Sequence, residues 1–286
     1  MSRFPAAGLL VAVFLFCLPG CSSLIASQTS KMADDISSAI YNNDDVESVG
    51  QAIPTFLVLI DSMIEGNPDN ADLLRTGAQL NDAYGGVFVA DPERRGKLSS
   101  KSLDYAWRSM CAHKKSACQW QDLDFQSFEA EIAELDEDDL PYAYTLAVSW
   151  LNWIQTNSDD WNAVAFLPYS ELILKQVVIL QDDYDNGMAH LYLGAIATLL
   201  PPALGGRPEE GREHFERAIA ISDGQNMMAK VVYAQQYARM MFDQPLHHRL
   251  LTEVMEGDPN VPNFVRINTV ARREAQVLLA GEADYF

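Results

Sequence analysis

Apolar residues along this chain recur three and four positions apart, in runs separated by short polar turns. Ile53, Phe56, Leu57, Ile60 and Ile64 share one side of a helical wheel before Gly66, Asn67 and Pro68 stop the run. Tyr144, Ala147, Val148, Leu151 and Ile154 repeat the pattern. So do Leu172, Gln176, Ile179 and Leu180, and later Val232, Tyr233, Tyr237 and Met240. Period-two alternation is scarce, and no Asn-Gly or Asp-Gly pair joins two alternating segments, so hairpin strands are not expected. The pattern predicts an all-α chain.

The runs exit at similar acidic or amide residues, Asn67, Asp183, Asp223 and Asp258, the last three spaced roughly 35 to 40 residues apart. Helix-turn-helix recurrence on that scale is the signature of tetratricopeptide-type stacking. Gly211-x3-Phe215-x2-Ala218-Ile219-x-Ile221 follows the second helix of that repeat, with glycine where alanine is usual, and Leu193-Gly194 fits its first helix. Small residues there let two helices approach closely. Residues 31–286 are therefore expected to form a single domain of TPR-like helical hairpins, an α-solenoid or bundle. The acidic stretch "ELDEDDLP" at 134–141 reads as a solvated loop, with Asp138 and Asp139 at the positive end of the next helix.

"PPALGGRPEEGREHFERAIAIS", Pro201 to Ser222, poses the sharpest chemical question, because a glycine-rich turn feeding a helix can cradle phosphate. A phosphate-binding loop would need a preceding strand and a Gly-Lys-Ser/Thr ending. Here Leu199 and Leu200 leave a helix, and Glu209 and Glu210 occupy the first turn where an anion would sit. Pro208 is pre-organised for a helix start. The stretch reads as the corner of a helical hairpin. G-x-S-x-G, H-E-x-x-H and C-x-x-C are also missing. Of the five histidines, His113 and His190 stand alone and His214 lies in a charged face. His247 and His248 are adjacent and diverge by about 100° on a helix. All read as structural, so no catalytic residue, metal or cofactor is expected.

The start of the chain changes the picture of where the protein works. Arg3, an apolar run from about Ala6 to Leu18, and Pro19-Gly20-Cys21 describe a signal peptide over 1–20. The ending looks like a bacterial lipobox, with Cys21 as the lipidated residue and ordinary cleavage as the alternative. Residues 21–30 suit a lipidated tether, and Ser22 favours an outer-membrane destination facing the periplasm. A composition of 48% hydrophobic and 21% charged residues is that of a packed globular protein. The net charge of −20 repels nucleic acid and anionic lipid heads. Cys111 and Cys118 remain as a pair. In an oxidising compartment a disulfide is the default, against free thiols or a zinc site with His113. Seven residues of unbroken helix rise about 10.5 Å, so a bridge requires a break between them.

Aromatic residues crowd the middle of the chain: Tyr142, Tyr144, Trp150, Trp153, Trp161, Phe166 and Tyr169. Their helical spacing is first explained by core packing. The other reading is a groove for an apolar or amphipathic ligand, lined by Tyr144, Trp150, Trp153, Trp161, Phe166 and Tyr169.

"LPYAYTLAVSWLNWI", "GMAHLYLGAIATLLPPALGGRPEEGREHFERAIAIS", "KVVYAQQYARMMFDQPLHHRLLTEVM" and "NTVARREAQVLLAGEADYF" together resemble the T components (TatT) of tripartite ATP-independent periplasmic (TRAP) transporters. The proline- and glycine-rich corner with its F-E-R-A helix is the most telling segment. The resemblance implies an all-helical lipoprotein without catalytic residues, a homotrimer, and a partner in the transporter's periplasmic solute-binding protein. It also implies a passage through each protomer for a hydrophobic or organic-acid ligand. The other function considered is a TPR-like scaffold lipoprotein for envelope assembly that holds no small ligand.

Overall fold

The computed structural model describes residues 38–39 and 42–286. The signal segment 1–20, Cys21 and the tether lie outside the described residues. Among the described residues the chain is helical and contains no β-strand.

Helix starts are written in local chemistry. α1 (Val46–Gly66) begins where the Asp45 carboxylate accepts the Ser48 N–H at 3.0 Å. Asn70 does the same for Leu73 at α2 (Ala71–Phe88), and Asp91 for Arg94 at α3 (Pro92–His113), where Pro92 occupies the first turn. A 3-10 segment, Lys115–Asp122, leads to α4 (Phe125–Ala133), capped by Asp124. α5 (Leu140–Thr156) follows, then the short α6 (Trp161–Val164) and α7 (Leu167–Leu180). The remainder comprises α8 (Met188–Ala197), α9 (Pro208–Ile221), α10 (Met227–Val232), α11 (Gln244–Glu256), α12 (Val265–Ala280) and α13 (Glu282–Tyr285). α10 runs on through a π-type segment, Tyr233–Ala238.

Packing follows sequence order. α1 lies on α2, α2 on α3, α3 on α5, α5 on α7, α7 on α8 and α8 on α9, and α10 and α11 pack with α12. α5 also reaches α2, and its buried residues run right round it, from Ala143 and Thr145 to Leu146, Ser149 and Trp150. That makes it the axis of the first half. The second half has its own core, where Phe215, Met227, Tyr233, Leu250, Leu251, Val254 and Ala271 meet.

Two expectations are corrected. On α7 the buried face is Ser170, Ile173, Leu174 and Val177, whereas Ile179 is 74% exposed. That helix is apolar on nearly every side, so spacing alone does not choose a face; Glu171, bonded to Lys175 and Arg207, marks a polar side. Asp139 is not solvated. It is buried and accepts bonds from Lys114 Nζ at 2.9 Å and the Asp136 backbone N–H at 3.1 Å, with His113 Nε2 at 2.9 Å. Burial alone would raise its pKa, yet these partners outweigh burial and hold the carboxyl below its usual value. Asp139 thus ties the end of α3 to the start of α5.

The proline–glycine corner is a tight hairpin turn. Gly205 sits at φ 93°, and the Arg207 N–H donates to the Ala197 carbonyl at 2.8 Å, closing the turn. A methyl group on Gly206 would lie 1.7 Å from the Leu200 carbonyl oxygen, so only glycine fits. Gly206→Ala is expected to cost about 2–3 kcal/mol, as overpacking against rigid backbone does. Gly205→Ala, with open space around it, should cost about 1 kcal/mol through its backbone angle alone. Urea unfolding of both variants checks the order; equal midpoints would contradict it.

Candidate functional site

A cleft of about 360 Å³ opens between α3, the 3-10 segment, α5 and the residues after α6. Ser100, Leu103, Asp104 and Trp107 line it from α3, spaced so that one face of the helix presents all four. Trp150 and Trp153, one turn apart on α5, face them. Gln121 and Phe166 complete the lining.

The rings are held by one another. Trp107 meets Trp150 edge-on with centroids 5.1 Å apart, and Phe166 lies 5.3 Å from Trp150. Behind Trp150 stand Phe128 at 6.3 Å and Tyr169 at 5.7 Å, and Phe128 is set by Trp120 at 5.6 Å. Trp107 and Trp150 are 8% and 4% exposed, so they form the floor, while Phe166, 36% exposed, stands at the rim. Gln121 is delivered by the segment after α3. The helix ends at His113, Cys118 returns to bond Cys111 with Cα atoms 4.5 Å apart, and the Trp120 indole N–H donates to Glu131 Oε2 at 3.1 Å.

The other expected site residues lie elsewhere. Trp161 is 85% exposed on α6 and does not line the cleft. Tyr169 backs the cleft without lining it. Tyr144 points to a different cluster, 5.2 Å from Tyr184 and 6.4 Å from Tyr192. There Asp185, in a left-handed backbone conformation with φ 48°, is raised by burial and bonded by Tyr144. Trp107, Ser100, Leu103, Asp104 and Gln121 were not among the expected residues. The Leu103–Trp107 spacing on α3 is the one signal that could have found them.

On its other side α5 meets α2 and α3 through a polar seam. Ser149 Oγ donates to Asp82 Oδ2 at 2.5 Å, and Ser102 Oγ donates to the Ala78 carbonyl at 2.8 Å, with Ser149 Oγ 3.0 Å away. Asp82 Oδ1 is sealed from solvent without a hydrogen-bond partner. Burial pushes this carboxyl up to about 6, offset in part by Ser149, Ser102 and Asn152.

The histidines are bound to structure. His190 lies 2.8 Å from His214 and 3.0 Å from Asp182, and burial with His190 alongside pushes His214 down to about 4. His247 and His248 each lie 2.9 Å from one oxygen of Glu282. Among the described residues no group of three or more His, Cys, Asp or Glu side chains is arranged to hold a metal ion.

Fold and cleft define a class: an all-α protein whose recess is aromatic, with a single carboxylate on its wall. The model of one family, the TRAP transporter T-component, matches residues 42–286, and the chain belongs to that family. Members are accessory transport components and are not a known enzyme family. No match to a curated protein was found.

Proposed function

We propose that this protein is the periplasm-facing accessory component of a TRAP-type solute transport system, where it engages the periplasmic solute-binding protein and lodges a small ligand in the aromatic cleft. The observation that carries this reading is family membership across residues 42–286. Cys21 supplies a lipid anchor in the outer membrane, residues 21–30 a tether, and three copies assemble into a homotrimer of TPR-like protomers. Stacked helices suit such a role because they offer an extended surface to a partner.

The near-complete burial of Trp107 and Trp150 favours a second reading, a scaffold in which these rings serve only as core. Both readings meet in one measurement. Purified protein is mixed with the solute-binding protein of the same transport system and followed by calorimetry and size-exclusion chromatography. A saturable complex is expected; no heat and no co-elution at about 100 µM, ten- to a hundredfold above the Kd of an ordinary transient pair, would overturn the transport role.

A further inference from the structure

Accepting the cleft as a ligand site, we infer that it takes a small alkylated ammonium compound. Four rings line it, Trp107, Trp150, Trp153 and Phe166, and the one charged lining residue is Asp104. Ring faces carry negative electrostatic potential and attract cations, most strongly when the cation is alkylated and sheds its water easily. A carboxylate ligand would meet the same rings and Asp104, and its side-chain donors would be the Ser100 hydroxyl, the Gln121 amide and the indole N–H groups of Trp107, Trp150 and Trp153, none of them charged. No lining residue carries a positive charge to offset the desolvation of an anion, and Asp104 repels one.

Arg108 does not reverse the sign. It is not a lining residue, its Nη1 pairs with Asp104 Oδ2 at 3.3 Å across one turn of α3, and its Nη2 donates to the Pro68 carbonyl at 3.2 Å. The guanidinium also lies 5.5 Å from the Tyr105 ring. It is an exposed pair, weak by nature, and a bound cation competes for the same carboxylate. Size points the same way. A volume of about 360 Å³ lies near the lower end for small-molecule sites, so it suits a compact head group rather than a long chain.

The test uses tryptophan fluorescence and calorimetry on the folded protein with three probes. These are choline, its neutral carbon isostere carrying a tert-butyl group in place of trimethylammonium, and propionate. Choline is expected to bind roughly tenfold more tightly than the isostere, and propionate not at all. Asp104→Asn should weaken choline several-fold and leave the isostere unchanged. Trp153→Ala should abolish both while the melting temperature holds. Equal affinity for choline and isostere, or tighter propionate binding, would overturn the ammonium assignment and leave the cleft as a ligand site. No binding of any probe at about 10 mM, well beyond the weakest specific affinities, would remove the cleft from the functional reading. The solute-binding-protein complex would then still decide the transport role by itself.

Discussion

Phe215→Ala is expected to lower stability by about 3–5 kcal/mol, the cost of deleting a buried aromatic ring where the surroundings cannot collapse. Phe215 is fully buried on α9. A methyl group on Gly194 of α8 would lie 2.8 Å from its ring, and Tyr233 stacks on it with centroids 5.2 Å apart. The Tyr233 hydroxyl is itself fixed by donation to Glu216 at 3.2 Å, so the neighbours have little freedom to fill the hole. Gly211 completes the close approach, since a methyl there would sit 2.6 Å from the Thr198 methyl. The partner substitution gives the sharper test. Gly194→Ala alone should destabilise by about 1–3 kcal/mol through overpacking. In the Phe215→Ala background the added methyl enters vacated space, and alanine's better helix propensity, worth about 1 kcal/mol, makes the same change stabilising. Urea unfolding of the four proteins measures the coupling. Additive effects would show that ring and glycine do not meet.

Asp82→Asn is expected to raise stability at pH 7.5 and to change little near pH 4. The carboxyl is raised from 3.8 to about 6, so the folded chain holds this proton more tightly than the unfolded chain. Its favourable contribution is fully present below pH 3.8 and is lost as pH rises through about 6. At pH 7.5 the folded chain carries the ionised form at a penalty of about 3 kcal/mol. Asparagine keeps an acceptor for Ser149 and removes the charge. A gain of roughly 6–10 °C in Tm at pH 7.5 follows for a domain of this size. Other groups tilt the opposite way: Asp139, Glu171 and Glu282 are held below their usual values by their partners despite burial, and their contributions fade on acidification. The difference between wild type and variant across pH isolates Asp82. A lower Tm for Asp82→Asn at pH 7.5 would show that the ionised carboxylate is engaged rather than stranded.

The helical class and several helix exits were legible because they rest on short-range chemistry. Pro208 stands in the first turn where the sequence placed it, and the caps the structure adds at Asp45, Asn70, Asp91 and Asp124, each bonding the N–H three residues ahead, use the same local chemistry. The corner from Pro201 to Gly206 could be read as a turn for the same reason. Close approach of α8 and α9 was also readable, since Gly194 and Gly211 are small at the contact. The aromatic site was readable only in part. Spacing placed Trp150 and Trp153 one turn apart, but α5 ends at Thr156, and beyond that break periodicity carries no phase. Trp161 therefore falls into solvent, while Phe166 returns to the cleft.

By itself, then, the sequence determined an all-α chain, several of its helix exits, and the hairpin turn at the proline–glycine corner. Tertiary structure decided which side of α7 is buried, that Asp139 is a buried tie rather than a solvated charge, and that Trp107 of α3 faces Trp150 of α5. The physical reason is range. Caps, breakers and turns are settled among residues a few positions apart, whereas a helix apolar on most sides takes its orientation from whatever packs against it.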